Sequence, residues 1–185
     1  MSSLTIFHDS CPEAPLFTSD NPTVISKTLK EAGILFEQWP TQPSIGVHSS
    51  FDEILVAYDS EIQRIVKIGG YQSWDVVALN PDNPNKAILR QKFLDEHTHG
   101  EDEVRFFVSG QGLFTLHIKD KVYNVLCQRG DFISVPAKIP HWFDMGTEPH
   151  FIAIRLFNNP DGWVATYTGS DIANSFPRLE EVCCV

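Results

Sequence analysis

Between positions 96 and 103 the chain reads Glu-His-Thr-His-Gly-Glu-Asp-Glu. Imidazole nitrogens and carboxylate oxygens are the donors that hold divalent transition metals. His97 and His99 stand two apart, so on an extended strand both leave the same face, with Cα atoms roughly 6.5–7 Å apart. Two imidazoles at that spacing converge on one ion. Gly100 lets the chain bend, which returns the Glu103 carboxylate toward the same point. A fourth donor has to come from elsewhere, and His141 is the natural candidate, because Pro136 and Pro140 pin the loop that enters it. H-x-H alone also fits an exposed strand face; Glu103 and the β-rich surroundings turn the reading toward a metal or catalytic site.

Arg105 follows Glu103 by two residues and on a strand points the same way. A fixed cation there would stabilise a bound anion; the competing reading is a surface ion pair. Phe93 and Phe143 flank the two ligand segments and can wall an apolar pocket, although core packing is an equal claim on each. Glu101 and Asp102 read as solvated turn residues. His8, His48, His117 and His150 stand alone and read as structural or surface residues.

The elements that must carry these residues fall into two patterns. Asn21-Pro22 opens a helix with Ile25, Leu29 and Ala32 at helical spacing, and Gly33 ends it. Ile34 to Trp39 reads as a short strand. Ser50-x-x-Glu53 is a capping box ahead of Leu55, Tyr58, Ile62 and Ile65, a helix that stops at Gly69-Gly70. Asp75 to Leu79 is strand-like, and a short helix is expected around Lys86 to Gln91.

From residue 93 the period changes to two. Strands are expected at 104–109, 112–118, 121–127, 131–135 and 151–157, with turns at Ser109–Gly112, Lys119-Asp120 and Gln128–Asp131. Such spacing points to an antiparallel sandwich or small barrel. The last ten residues read as a loose tail.

Composition narrows the partners. The chain has 185 residues, enough for one domain with a proper core, and 42% of them are hydrophobic. A formal charge of -10 with only 14 scattered basic residues argues against nucleic acid. No run is long and apolar enough for a membrane span, and no secretory signal is visible at the start. A cytoplasmic protein acting on a small molecule is expected. Cys11, Cys127, Cys183 and Cys184 show no C-x-x-C spacing and are expected as free thiols.

His97, His99, Glu103 and Gly110 resemble the end of the first cupin motif, H-x-H-x3,4-E-x6-G, and Gly130, Pro136 and His141 resemble the second, G-x5-P-x-G-x2-H-x3-N. Lys138 stands in place of its second glycine and Met145 in place of its asparagine; Gln91 replaces the glycine that opens the first. These departures touch turns rather than ligands. The longer runs Lys92–Phe107 and Pro136–Met145 resemble the acireductone dioxygenase family.

That resemblance implies a mainly β protein, a cupin-type antiparallel β-sandwich or jelly-roll barrel with N-terminal helices. It implies one domain over 1–185, with a mixed helical cap and flanking strands over 1–92, a metal-binding β-sandwich core over 93–165 and a C-terminal tail over 166–185. One Fe(2+) or Ni(2+) per chain would be held by His97, His99, Glu103 and His141. The substrates would be O2 and an acireductone, a 1,2-dihydroxy-3-keto pentene with a methylthio group, in methionine salvage. With iron the family yields formate and a 2-keto acid; with nickel it yields formate, carbon monoxide and a methylthio carboxylic acid. Arg105 would be catalytic, and Arg105, Phe93, Phe143, Arg155 and Trp163 would line the substrate pocket, in a monomer. Two rivals are a cupin isomerase of sugar phosphates, which needs more cations than Arg105 near the motif, and a cupin that binds ligand without chemistry.

Overall fold

The computed structural model describes residues 1–159 and 164–183. Along the chain run β1 (Ser3–His8), β2 (Cys11–Ser19), α1 (Pro22–Glu31), β3 (Leu35–Gln38), α2 (Phe51–Ala57), α3 (Asp59–Gly69), β4 (Ser73–Leu79) and α4 (Lys86–Leu94). Then follow β5 (His97–Thr98), β6 (Glu103–Ile118), β7 (Lys121–Gln128), β8 (Asp131–Val135), β9 (His141–Asp144), β10 (Phe151–Phe157), β11 (Thr166–Tyr167), a 3-10 turn at Ile172–Ser175 and α5 (Leu179–Cys183).

Local chemistry accounts for the helices. Asn21 Oδ1 accepts from the amides of Thr23 and Val24 ahead of Pro22, and Ser50 and Glu53 form the expected capping box. The single helix expected from Ser50 to Gly69 is broken at Tyr58, which ends α2 and precedes α3. Tyr58 is fully buried there, so packing of its ring overrides helical continuity.

The strands form two antiparallel sheets that share β6. One has the order β11-β5-β9-β6-β7-β1-β2; in the other, β10 and β8 flank β6, with β4 outside β10 and β3 outside β8. Glu103–Phe106 pair with β8 and Val104–Gly110 with β10, after which Gln111–Ile118 pair with β7. The turn expected at Ser109–Gly112 is therefore a bend inside one long strand. Gly110 has φ +72°, and a Cβ on it would lie 1.7 Å from the His150 carbonyl oxygen, so only glycine lets β6 cross there.

Both faces of β6 are covered. Val104, Phe106 and Val108 pack with Ile54, Tyr58, Ile62 and Ile65 of the α2–α3 layer. Phe107, Phe114 and Leu116 join Leu4, Ile6 and Val125 between the sheets. Residues 3–19, for which no strand was singled out, supply two strands of the first sheet. One further expectation is corrected here. The tail is not loose: α5 buries Leu179 against Leu113 and Leu126, and Asp144 accepts from the Leu179 amide at 3.0 Å. Cys11, Cys127 and Cys183 are free thiols, and Cys184 lies outside the described residues. No helix among the described residues is long and apolar enough to cross a membrane.

Candidate metal centre

His97 opens β5, Glu103 opens β6 and His141 opens β9, so three strand ends meet at one end of the sandwich. His97 and His141 lie directly opposite in the β5–β9 pair. His141 begins β9 directly after the loop that holds Pro136 and Pro140, as expected. His97, His99, Glu103 and His141 each present one donor atom, and these atoms all fall within 4.8 Å of one another. None of the four residues is more than 5% exposed, which excludes the exposed-strand alternative.

The donors are aimed by their neighbours. His97 Nδ1 donates to the Asp95 carbonyl and His141 Nδ1 to the Ile139 carbonyl, each at 2.7 Å. With Nδ1 carrying the proton, the His97 ring turns its Nε2 lone pair toward the cluster, and the Ile139 carbonyl holds the His141 ring with Nε2 facing Glu103. Glu103 Oε2 lies 2.8 Å from His141 Nε2 and 3.1 Å from His99 Nε2. Burial, and then the nearby His141, lower the His97 imidazole to about 4, so it is neutral near pH 7. Burial pushes the Glu103 carboxyl up, but the Arg105 charge and hydrogen bonds with His141 and His99 outweigh it and hold it well below the usual range. A neutral imidazole and an ionised carboxylate are the forms that bind metal. The donor set therefore fits one first-row divalent ion, leaving a net charge near +1.

Comparison with known proteins bears directly on this centre. The ARD/ARD' family model matches residues 4–165. The chain is 58% identical over 181 residues to an acireductone dioxygenase of Pseudomonas aeruginosa (strain UCBPP-PA14), covering 98% of this chain and all of that one. A Yersinia enterocolitica acireductone dioxygenase is 53% identical over 97% of this chain and 100% of its own length. A solved structure, acireductone dioxygenase from Bacillus anthracis with a cadmium ion in its active centre, superposes with TM-score 0.78 at 34% identity, over 90% of this chain and 98% of that one. The chain belongs to the acireductone dioxygenase family.

It is accordingly a metal-dependent dioxygenase of cupin fold. In this family member the other candidate residues are distributed unevenly. Arg105 is only 6% exposed, and its Nη2 lies 2.7 Å from Glu103 Oε1. Its guanidinium carbon sits 4.6 Å from the Phe143 ring centroid and 5.5 Å from that of Phe114. Arg155 faces Arg105 across the β6–β10 pair and forms a two-pronged ion pair with Asp75 on β4, with Nε–Oδ1 at 2.8 Å. Asp75, Arg155 and Arg105 thus form one charged row leading to Glu103. Phe143 is buried in the inter-sheet core, and Phe93 is half-buried against the same core. Trp163 lies outside the described residues.

Three acids near the ligands went unrecognised or were misread. Glu101 and Asp102, expected as solvated turn residues, are both engaged. Glu101 Oε2 accepts from the amides of Asn158 and Asn159, at 3.0 and 2.9 Å. Asp102 accepts from the Ala137 amide at 2.9 Å and from the Tyr71 hydroxyl at 3.0 Å. Tyr71 is pushed up to about 12 by burial, and the Asp102 charge adds to this, so its hydroxyl stays a donor. Glu96, 4% exposed, meets His117 Nδ1 at 2.7 Å and accepts from the Thr168 hydroxyl at 2.5 Å. Its only signal in the sequence is its place beside His97, which does not distinguish it from Glu101 or Asp102.

Proposed function

We propose that the protein cleaves 1,2-dihydroxy-3-keto-5-methylthiopentene with O2 in methionine salvage, as an acireductone dioxygenase. With Fe(2+) the products are formate and 2-keto-4-methylthiobutyrate; with Ni(2+) they are formate, carbon monoxide and 3-methylthiopropionate. The observation that carries this reading is a buried three-histidine, one-carboxylate cluster with two guanidinium groups in line beside it. A sugar-phosphate isomerase reading is weaker, because a phosphate calls for more cations than Arg105 supplies beside the cluster.

His97, His99, Glu103 and His141 hold the metal, which when bound supplies Lewis acidity, a two-point template for an ene-diolate and redox chemistry with O2. Arg105 binds the anionic oxygens of the substrate and stabilises charge that develops on them. Its guanidinium is fixed by Glu103 and by the Phe143 face, so little reorganisation is needed when substrate arrives. Phe143 and Phe93 form the apolar side that receives the methylthio tail, and Arg155 and Trp163 complete the pocket. Burial of all four donors keeps bulk water from the reacting carbons. The reading extends to a monomeric cytoplasmic enzyme, in line with its free thiols and acidic net charge.

The test is to load purified protein with iron or with nickel and to analyse products after aerobic incubation with acireductone. Different product sets for the two metals are expected. A chain holding about one equivalent of metal yet leaving O2 and acireductone untouched would sink the reading. Arg105→Ala is expected to lower kcat by roughly 10²–10³-fold while metal content at saturation is kept; loss of the metal instead would refute a role toward substrate.

A further inference from the structure

Two glycines stand two apart in the middle of β6, and they are glycines for different reasons. Gly110, with φ +72°, is there for its backbone; Gly112 does not lie in the left-handed region, so its backbone suits any residue. What a side chain at 112 would lack is room. A Cβ on Gly112 would lie 2.4 Å from Cζ and 2.5 Å from Cε2 of Phe143, where carbon atoms in good contact stand roughly 3.5–4.0 Å apart. The missing side chain is the socket that receives the tip of the Phe143 ring.

Phe143 is the cross-strand partner of Phe114 in the β6–β9 pair, which makes Gly112 its diagonal neighbour on the inner face of the sheet. The rest of the ring is closely surrounded. Its centroid lies 4.8 Å from that of Phe114 and 5.9 Å from that of Phe151, and the Arg105 guanidinium carbon stands 4.6 Å from it. Interiors are packed as densely as organic crystals, so the ring cannot give ground without displacing a neighbour. Arg105 alone among these neighbours carries a charge, and its Nη2 meets Glu103 Oε1 at 2.7 Å.

We propose that Gly112 is a positioning residue for the dioxygenase reaction: its empty side-chain site seats Phe143, and the Phe143 ring in turn sets where the Arg105 guanidinium stands beside the metal cluster. Guanidinium groups stack on aromatic faces, so a ring pushed off Gly112 carries Arg105 with it. A displacement of about 1 Å in a group that must meet the substrate can cost on the order of 100-fold in rate. The inference rests on the proposed role of Arg105 toward substrate and extends it to a residue with no functional group of its own.

The test is a double-substitution cycle on the iron-loaded protein, read by metal content, thermal denaturation and steady-state turnover of acireductone. Gly112→Ala is expected to lower kcat at least roughly tenfold with metal content unchanged. In a Phe143→Leu background, where no ring fills the socket, the same substitution should change kcat less than about twofold and lower Tm less than in the parent. Phe143→Leu itself should lower kcat with metal kept, because Arg105 has lost its support, and it decides if Gly112→Ala does not fold. Undiminished kcat or lost metal in Gly112→Ala, equal losses in both backgrounds, or parental kcat in Phe143→Leu would overturn the inference. A parent chain that leaves acireductone untouched is a different failure: it sinks the proposed function, and the role of Gly112 in the reaction with it, even where the Tm cycle still shows the coupling.

Discussion

Residues 97–103 bring three donors to the metal centre within seven positions, whereas residues 136–141 bring one and are held from outside to do so. In the first segment each ligand is braced close by: His97 by the Asp95 carbonyl, Glu103 by Arg105. The second segment depends on the first. Asp102 accepts from the Ala137 amide, and the Lys138 amide donates to the His99 carbonyl at 3.0 Å. Lys138 also takes φ +67°, a left-handed conformation that a side chain disfavours. A dense ligand segment thus acts as a template on which the sparse one is moulded, and strain is concentrated in the sparse one.

Four perturbations probe that asymmetry. The largest effect is expected from Glu103→Gln, which removes a donor and leaves the buried Arg105 without its carboxylate. Breaking a buried pair in this way costs about 3–5 kcal/mol, so chemical denaturation should show a large loss of stability and elemental analysis a loss of metal. A variant as stable as the parent would mean that Arg105 has another adequate partner.

Acid should act next most strongly, on metal-free protein. His97 titrates near 4 when folded and near 6.5 when unfolded. Between those values the unfolded chain binds more protons, so stability is full above pH 6.5 and falls as the pH drops toward 4. The shift corresponds to something on the order of 3 kcal/mol. Glu103, lowered by its neighbours, adds a loss in the same direction below pH 4.5. Calorimetry of chelator-treated protein should show Tm falling through this window, with much of the slope gone in His97→Gln. A flat profile from pH 7 to 4.5 would contradict the assigned environment.

Asp102→Ala tests the link between the segments. It leaves the Ala137 amide and the Tyr71 hydroxyl without their acceptor, a cost of about 1–3 kcal/mol. Metal affinity should fall roughly 10–100-fold, as for other groups that orient ligands. Equal affinity would show that the second segment holds its shape alone. Lys138→Gly should give the smallest change and the opposite sign, a gain of about 1 kcal/mol from relieved strain. A loss of stability there would mean that the lysine side chain contributes more than its backbone costs.

Three of the four metal donors were legible because their spacing is local: H-x-H on a strand and a carboxylate after a glycine bend need no knowledge of the rest of the chain. The same holds for the capping box at Ser50 and the period-two strands after residue 93. What escaped was set by distant partners. Cys11–Ser19 carries Pro12 and Pro15, which speak against a strand, yet β2 lies at a sheet edge, where proline is tolerated. Gly110 looks the same whether it makes a hairpin or a bend; only the approach of the His150 carbonyl decides. Asp102, Glu96 and the Leu179 amide find their partners between 21 and 72 positions away along the chain, so nothing beside them in the sequence announces the contact.

The double membership of β6 also sets an order of events in time. Local opening begins where pairing is thinnest, and β6 has neighbours on both sides along most of its length. Glu103 and Arg105 therefore belong to the slowest-exchanging part of the backbone. His97 sits on a two-residue strand whose outer neighbour, β11, is itself two residues long and ends the sheet. Amide exchange should be fast at β5 and β11 and slow along β6. Of the four donors, His97 is then expected to be the first to move away from the cluster and Glu103 the last.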